Sequence, residues 1–225
     1  MTTRLLKSLN CFRRAKTRLP IHWSLCVLVV LHVVGVAGFA MQLRGFDTLV
    51  PTHLLITALI WVINQRVFTR QLCSWLCGAA LAGFGVEVLG VKSEMVFGAY
   101  YYGPALGPQA WDVPLLMGLN WALLLAVSGG ISGSLASDAR PPVRAALGAT
   151  LLVLLDLVLE PFAIAHGLWT WEGAAVPLRN YVAWWLVSFL LLLPDLATRV
   201  TRENSSVAWI YGCFMLFFSA TNVLS

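Results

Sequence analysis

The feature that most constrains this chain is a succession of apolar runs over residues 21–41, 50–67, 72–90, 113–131, 143–160, 181–196 and 207–224, with no lysine or arginine deep inside any of them. A helix needs about 20 apolar residues, or somewhat fewer, to cross the hydrocarbon core of a bilayer. Lipid offers no partner to a bare peptide group, so such segments satisfy their own backbone as helices. The expected fold is therefore all-α, a polytopic transmembrane bundle of about seven helices. Composition agrees, with 59% hydrophobic and 11% charged residues against roughly 45–50% and 25% in soluble domains.

Charge gives the bundle a direction. Arg4, Lys7, Arg13, Arg14, Lys16 and Arg18 precede the first run, and Arg66, Arg70, Arg140, Arg144, Arg199 and Arg202 fall in alternate connections or at the very ends of the runs beside them. Only Arg44, Lys92 and Arg179 lie in the other connections. Cytoplasmic loops hold the excess of Lys and Arg, which predicts a basic cytoplasmic leader over 1–20 and a single transmembrane helical domain over 21–225. The expected location is the cytoplasmic membrane, multi-pass. A basic run ahead of an apolar stretch is a topology signal, so the net charge of +5 is not read as nucleic-acid binding. The 21–41 run exceeds the h-region of a signal peptide despite Gly38-Phe39-Ala40 at its end.

Several functions are excluded by what the runs lack. The lysines are Lys7, Lys16 and Lys92, so no mid-membrane Schiff base is available, and no Arg-rich helix suits voltage sensing. His22, His32, His53 and His166 form no paired-histidine motif for a di-iron oxygenase. His22 and His53 are expected at the interface, His32 in the core bonded across helices, and His166 on the acidic side. Gly83-Phe84-Gly85 lacks the third glycine of a dinucleotide fingerprint. Cys73 and Cys77, one turn apart, read as small hydrophobes rather than metal ligands. No cofactor and no metal is called for.

The chemistry lies on the side opposite the basic leader. The connections from Lys92 to Pro114 and from Pro161 to Pro177 are rich in Gly, Pro, Tyr and Trp. An aromatic belt is one reading; an ordered, turning backbone that lines a cavity, in a re-entrant form as one option, is the favoured one. Glu87 stands near the outer end of the third run, and Asp156 and Glu160, four apart, share a helix face in the fifth. Carboxylates cost about 2.5–3.5 kcal/mol at a helix centre and so are neutral, paired or turned to a polar cavity. The plain alternative has Asp156 and Glu160 capping a helix that ends ahead of Pro161, or pairing with Arg179. Burial favours the neutral form of a carboxylic acid, and a neighbouring carboxyl favours it further. Such an acid can deliver a proton while its ionised neighbour accepts one, and aromatic faces stabilise the cation between. Protonation of a hydrocarbon double bond is the chemistry that fits.

The ordered set Glu87-Val88-Leu89-Gly90-Val91-Lys92, Phe97-Gly98 with Tyr100 and Tyr102, Leu106-Gly107-Pro108, Val113-Pro114, Trp121, Asp156-Leu157-Val158-Leu159-Glu160-Pro161, Trp169-Thr170-Trp171, Pro177, Asn180 and Trp184 resembles the membrane carotenoid hydratase family, commonly labelled carotenoid biosynthesis proteins. The resemblance covers about residues 84 to 186. It departs at Ser93-Glu94, where the family has Thr-Gly, and at Glu160, where the family often has Asp. What it implies is cofactor-independent hydration of a terminal C1=C2 double bond on an acyclic carotenoid end group to a tertiary alcohol, a 1,2-hydratase (hydro-lyase) activity. Glu87, Asp156 and Glu160 are then the expected catalytic residues, and Tyr100, Tyr102, Trp121, Trp169, Trp171, Asn180 and Trp184 the expected substrate-binding ones. The expected partners are a lipophilic carotenoid or isoprenoid, the bilayer and other enzymes of the same pathway. Lycopene-cyclase-like ring closure from the same cation, and non-catalytic carriage of a lipid or pigment, are the alternatives.

Overall fold

The computed structural model of the chain describes residues 21–173, 175–194 and 199–224. The basic leader with its six cations, Cys11 and the side chain of His22 lie outside the described residues. Among the described residues there are seven α-helices: α1 (Ile21–Ala40), α2 (Val50–Asn64), α3 (Arg70–Ser93), α4 (Leu116–Leu135), α5 (Pro141–Ala165), α6 (Leu178–Leu192) and α7 (Val207–Leu224). Each matches one of the seven apolar runs. Six are long and apolar enough to cross a membrane, α2 when taken with the 3-10 turn Phe46–Leu49 that leads into it, and α6 is apolar but shorter.

Local chemistry sets the helix ends. Thr69 caps α3 by accepting the Leu72 N–H at 3.0 Å, the role for which a short hydroxyl side chain is suited. The Pro-Pro pair opens α5, where the missing N–H is harmless. Arg144, assigned to a loop by its charge, lies instead in the first turn of α5, where it donates to the Ser137 and Ala139 carbonyls. Pro161 does not end α5 as expected: the helix runs on to Ala165, so Glu160 is interior to the helix rather than its cap.

The central helix is α4, which touches α2, α3, α5, α6 and α7. It can be surrounded because its sequence is rich in small residues, and helices in lipid approach closely where side chains are small. Gly129 and Gly133 are both buried, so their small-x-x-x-small spacing serves packing inside the chain. Trp121, fully buried, is the large exception. It fits because Gly83 on α3 faces it: a Cβ there would overlap the indole. The basic side is closed by Asn204, which donates to the Trp61 carbonyl at 2.9 Å and to Gln65 at 3.1 Å.

On the acidic side the aromatic connections form two small β-ribbons. Strand β1 (Tyr100–Tyr102) pairs antiparallel with β4 (Trp169–Trp171), setting Tyr100 opposite Trp171 and Tyr102 opposite Trp169. Side chains alternate along a strand, so these four rings share one face while the exposed Tyr101 takes the other. Beyond the strand, Gly103 donates its N–H to the Leu168 carbonyl at 2.9 Å, and a Cβ on Gly103 would collide with the Gly167 carbonyl. Strands β2 (Gln109–Ala110) and β3 (Val113–Pro114) form a hairpin whose turn, Trp111–Asp112, has positive φ at both positions, as a type I′ turn requires. A salt bridge from Asp112 to Lys92 ties this hairpin to the end of α3.

Candidate active site

Three carboxyl groups converge beneath the β1–β4 ribbon. Glu87, Asp156 and Glu160 are 2, 4 and 3% exposed. The only salt bridge found among the described residues is the one between Lys92 and Asp112. Glu160 does not pair with Arg179, which is exposed.

Each carboxyl is held differently. Glu87 Oε2 accepts from the Tyr100 hydroxyl at 2.6 Å and the Tyr102 hydroxyl at 2.7 Å, while Oε1 accepts from the Trp121 indole at 2.8 Å. Glu160 Oε2 accepts from the indoles of Trp169 at 3.0 Å and Trp171 at 3.1 Å. The Asn180 amide, in the first turn of α6, donates to Asp156 Oδ2 at 3.1 Å and more loosely to Glu160 Oε1 at 3.4 Å. Asp156 Oδ1 takes no hydrogen bond from the described residues. One ribbon therefore delivers two phenols to Glu87 and two indoles to Glu160, and its cross-strand register is what aligns them.

The phenols are set to donate. Burial, with the adjacent Glu87 carboxyl second, pushes the Tyr100 and Tyr102 hydroxyls well above the usual tyrosine range. They stay protonated at any working pH.

A chamber of about 20 Å³ lies among the three acids, with Tyr100, Tyr102, Trp169, Trp171, Asn180 and Trp184 on its wall. That is room for roughly one water molecule. Trp121 lines neither this chamber nor its neighbour. It stands behind Glu87 and stacks on Trp184, ring centroids 4.0 Å apart and 14° from parallel. Of the ten residues the sequence singles out, nine therefore wall the chamber, and Trp121 holds Glu87 from outside it.

A second, apolar cavity of about 250 Å³ runs between α1, α2, α4, α5 and α7. Met117 and Trp169 belong to both walls. Sequence reading did not find this cavity. Its one available signal was the i, i+3, i+4 spacing of Phe214, Phe217 and Phe218 on α7, which places three rings on one helix face. Two departures from the family pattern resolve differently. Glu94 is exposed and lines neither cavity; it occupies the left-handed position after α3, φ 57°, where a glycine is the usual occupant. Glu160 points its longer side chain at the two ribbon indoles.

The three histidines whose side chains are described, His32, His53 and His166, fall outside the acid cluster. His166 packs between Phe39 and Phe162 at 4.5 Å from each. His32 bonds to Leu28 of its own helix rather than across helices, and His53 turns inward against it. Cys73 and Cys77 are exposed on the outside of α3.

Fold and site together define a multi-pass helical membrane protein with a buried acid centre beside an apolar cavity. The sequence pattern of the carotenoid biosynthesis protein family matches residues 45–224, and the chain belongs to that family. The bisanhydrobacterioruberin hydratase of Haloarcula japonica is 32% identical over 159 residues, which cover 66% of this chain and 51% of that protein. The chain thus spans about half the length of the curated relative it matches. No solved structure matches it significantly.

Proposed function

We propose that this chain hydrates the terminal C1=C2 double bond of an acyclic carotenoid end group, giving a tertiary alcohol. The observation that carries the reading is the chamber: three buried carboxyls, paired with no cation among the described residues, around room for one water and beside an apolar cavity. The hydrocarbon end lies in the apolar cavity with its double bond reaching past Met117 and Trp169. The 32% identity to a named hydratase supports the same class of reaction.

The hydrogen bonds suggest the roles. Asp156 is the acid, because Oδ1 is unengaged and can carry a proton toward the substrate. Its O–H bond breaks as a C–H bond forms at C2, leaving a tertiary cation at C1. Glu87 accepts three donors, an arrangement that suits an ionised carboxylate, and it stands as fixed negative charge near that cation. Glu160 takes a proton from the water whose oxygen bonds to C1, and the proton returns to Asp156 across the pair that Asn180 bridges. No proton is consumed overall. Room for a water in the chamber favours hydration, since ring closure requires that the cation meet no nucleophile.

The charge pattern puts the leader on the cytoplasmic side and the chamber in the opposite half of the bilayer, with residues 21–225 acting as one transmembrane unit. The test is mass analysis of pigments from a lycopene-producing host expressing the chain or its Asp156→Asn variant. A gain of one water that disappears in the variant is expected. Retained turnover by Asp156→Asn sinks that residue's role, and an unchanged mass with a shifted absorption spectrum would assign the chain to cyclisation.

A further inference from the structure

The apolar cavity has one polar feature that the proposed chemistry leaves unused. His53 lines it from the first turn of α2, and the His32 ring lies 4.4 Å away at 74°, edge to face. Phenylalanines surround the pair: Phe214 lies 5.5 Å and Phe217 5.8 Å from His32. Nε2 of each imidazole is buried with no hydrogen-bond partner in the structure. His32 is 5% exposed, and its Nδ1 lies 2.8 Å from the Leu28 carbonyl. That carbonyl can only accept, so Nδ1 carries the hydrogen and Nε2 of the neutral ring is a bare acceptor. An unpaired buried polar atom is unfavourable, and two side by side, His53 in the cavity wall and His32 directly behind it, call for a ligand atom.

From this geometry we infer that His53 and His32 form a subsite for a hydroxyl group borne by the substrate away from its reacting end. The identity of that substrate as a carotenoid rests on the proposed function; the subsite itself does not. A hydroxyl satisfies both rings, giving its hydrogen to the acceptor Nε2 of His32 and taking one from a ring N–H of His53. An ether or ketone oxygen has no hydrogen to give and leaves His32 unpaired. The location sets where the hydroxyl sits, since His53 lines only the apolar cavity and not the acid chamber. The preferred ligand is therefore an acyclic carotenoid already hydroxylated at a distance from the double bond to be hydrated, and the reaction that supplies it is one that installs a hydroxyl.

The test is binding, read by quenching of tryptophan fluorescence in purified Asp156→Asn protein, so that no ligand is turned over. Three ligands are compared: an acyclic hydrocarbon carotenoid, its monohydroxylated counterpart and the O-methyl ether of the latter. The hydroxylated form is expected to bind about 5- to 10-fold more tightly than the other two, the size of one net hydrogen bond. His53→Phe and His32→Phe should each abolish that preference while hydrocarbon affinity holds within about two-fold, which also reports that the variants are folded. His53→Gln, which keeps a donor and an acceptor, should retain part of it. Equal affinity for all three ligands overturns the inference and leaves the imidazoles to hold water only; a preference that survives both phenylalanine variants overturns it too. A failed hydratase assay with the binding preference intact refutes the proposed reaction and not the subsite.

Discussion

Replacing Glu87 tests whether its three donors form a closed set. Glutamine keeps the shape but offers one acceptor oxygen and one donor nitrogen. The Trp121 indole can only donate, so the amide oxygen must stay at the Oε1 position and the amide nitrogen must face the two tyrosine hydroxyls, which then turn to accept. Hydrogen bonds to a charged group contribute roughly 1.5–3 kcal/mol and neutral ones roughly 0.5–1.5. Three bonds, each weakened by about 1 kcal/mol, put the loss near 3 kcal/mol as an upper value, because networks are not additive. Leucine is worse, since it leaves two hydroxyls and an indole N–H buried and unpaired at roughly 1–3 kcal/mol each. Equilibrium unfolding in mixed micelles should rank wild type above Glu87→Gln and Glu87→Leu last. A cycle pairing Glu87→Gln with Trp121→Phe should show a coupling of about 1–2 kcal/mol. A Glu87→Leu protein within about 1 kcal/mol of wild type would refute the closed set, as would additive effects in the cycle.

Two further predictions concern the rest of the ribbon side. Glu94 holds φ 57° after α3, so Glu94→Gly should raise unfolding stability by about 0.5–1 kcal/mol and leave pigment conversion unchanged, because the residue lines neither cavity. The raised Tyr100 and Tyr102 hydroxyls favour the folded state as long as the unfolded phenols remain protonated. Their contribution is fully present below about pH 10, the ordinary tyrosine value, and is lost as pH rises beyond it. Stability measured between about pH 8 and 11 should fall steeply past 10 in wild type, and the Tyr100→Phe, Tyr102→Phe double variant should show a shallower fall.

How far the site could be read in advance differs from residue to residue. Glu87, Asp156 and Glu160 stand out in the sequence because ionisable groups in apolar runs are rare and need an explanation, and the structure places all three on one chamber. Their partners were visible only as residue types. Tyr100, Tyr102, Trp169 and Trp171 read as a lining for a cation, yet their hydroxyl and indole hydrogens are spent on the carboxyl groups of Glu87 and Glu160. The cause is the register of two three-residue strands 66 residues apart, which no local pattern specifies. Pro161 misleads for a related reason: a proline usually ends a helix, but here packing carries α5 one turn further.

The spans themselves needed no tertiary information, because each helix in lipid must satisfy its own backbone and so declares itself by length and apolarity. The same holds for the excess of basic residues on one side and for the acid positions, which follow from the energetics of single residues against a bilayer. The apolar cavity, the His32–His53 contact and the sharing of Asn180 between Asp156 and Glu160 were decided by tertiary structure alone. Each depends on which faces of α1, α2, α5, α6 and α7 meet around α4, and an apolar helix in lipid carries little amphipathic pattern to announce the face it buries.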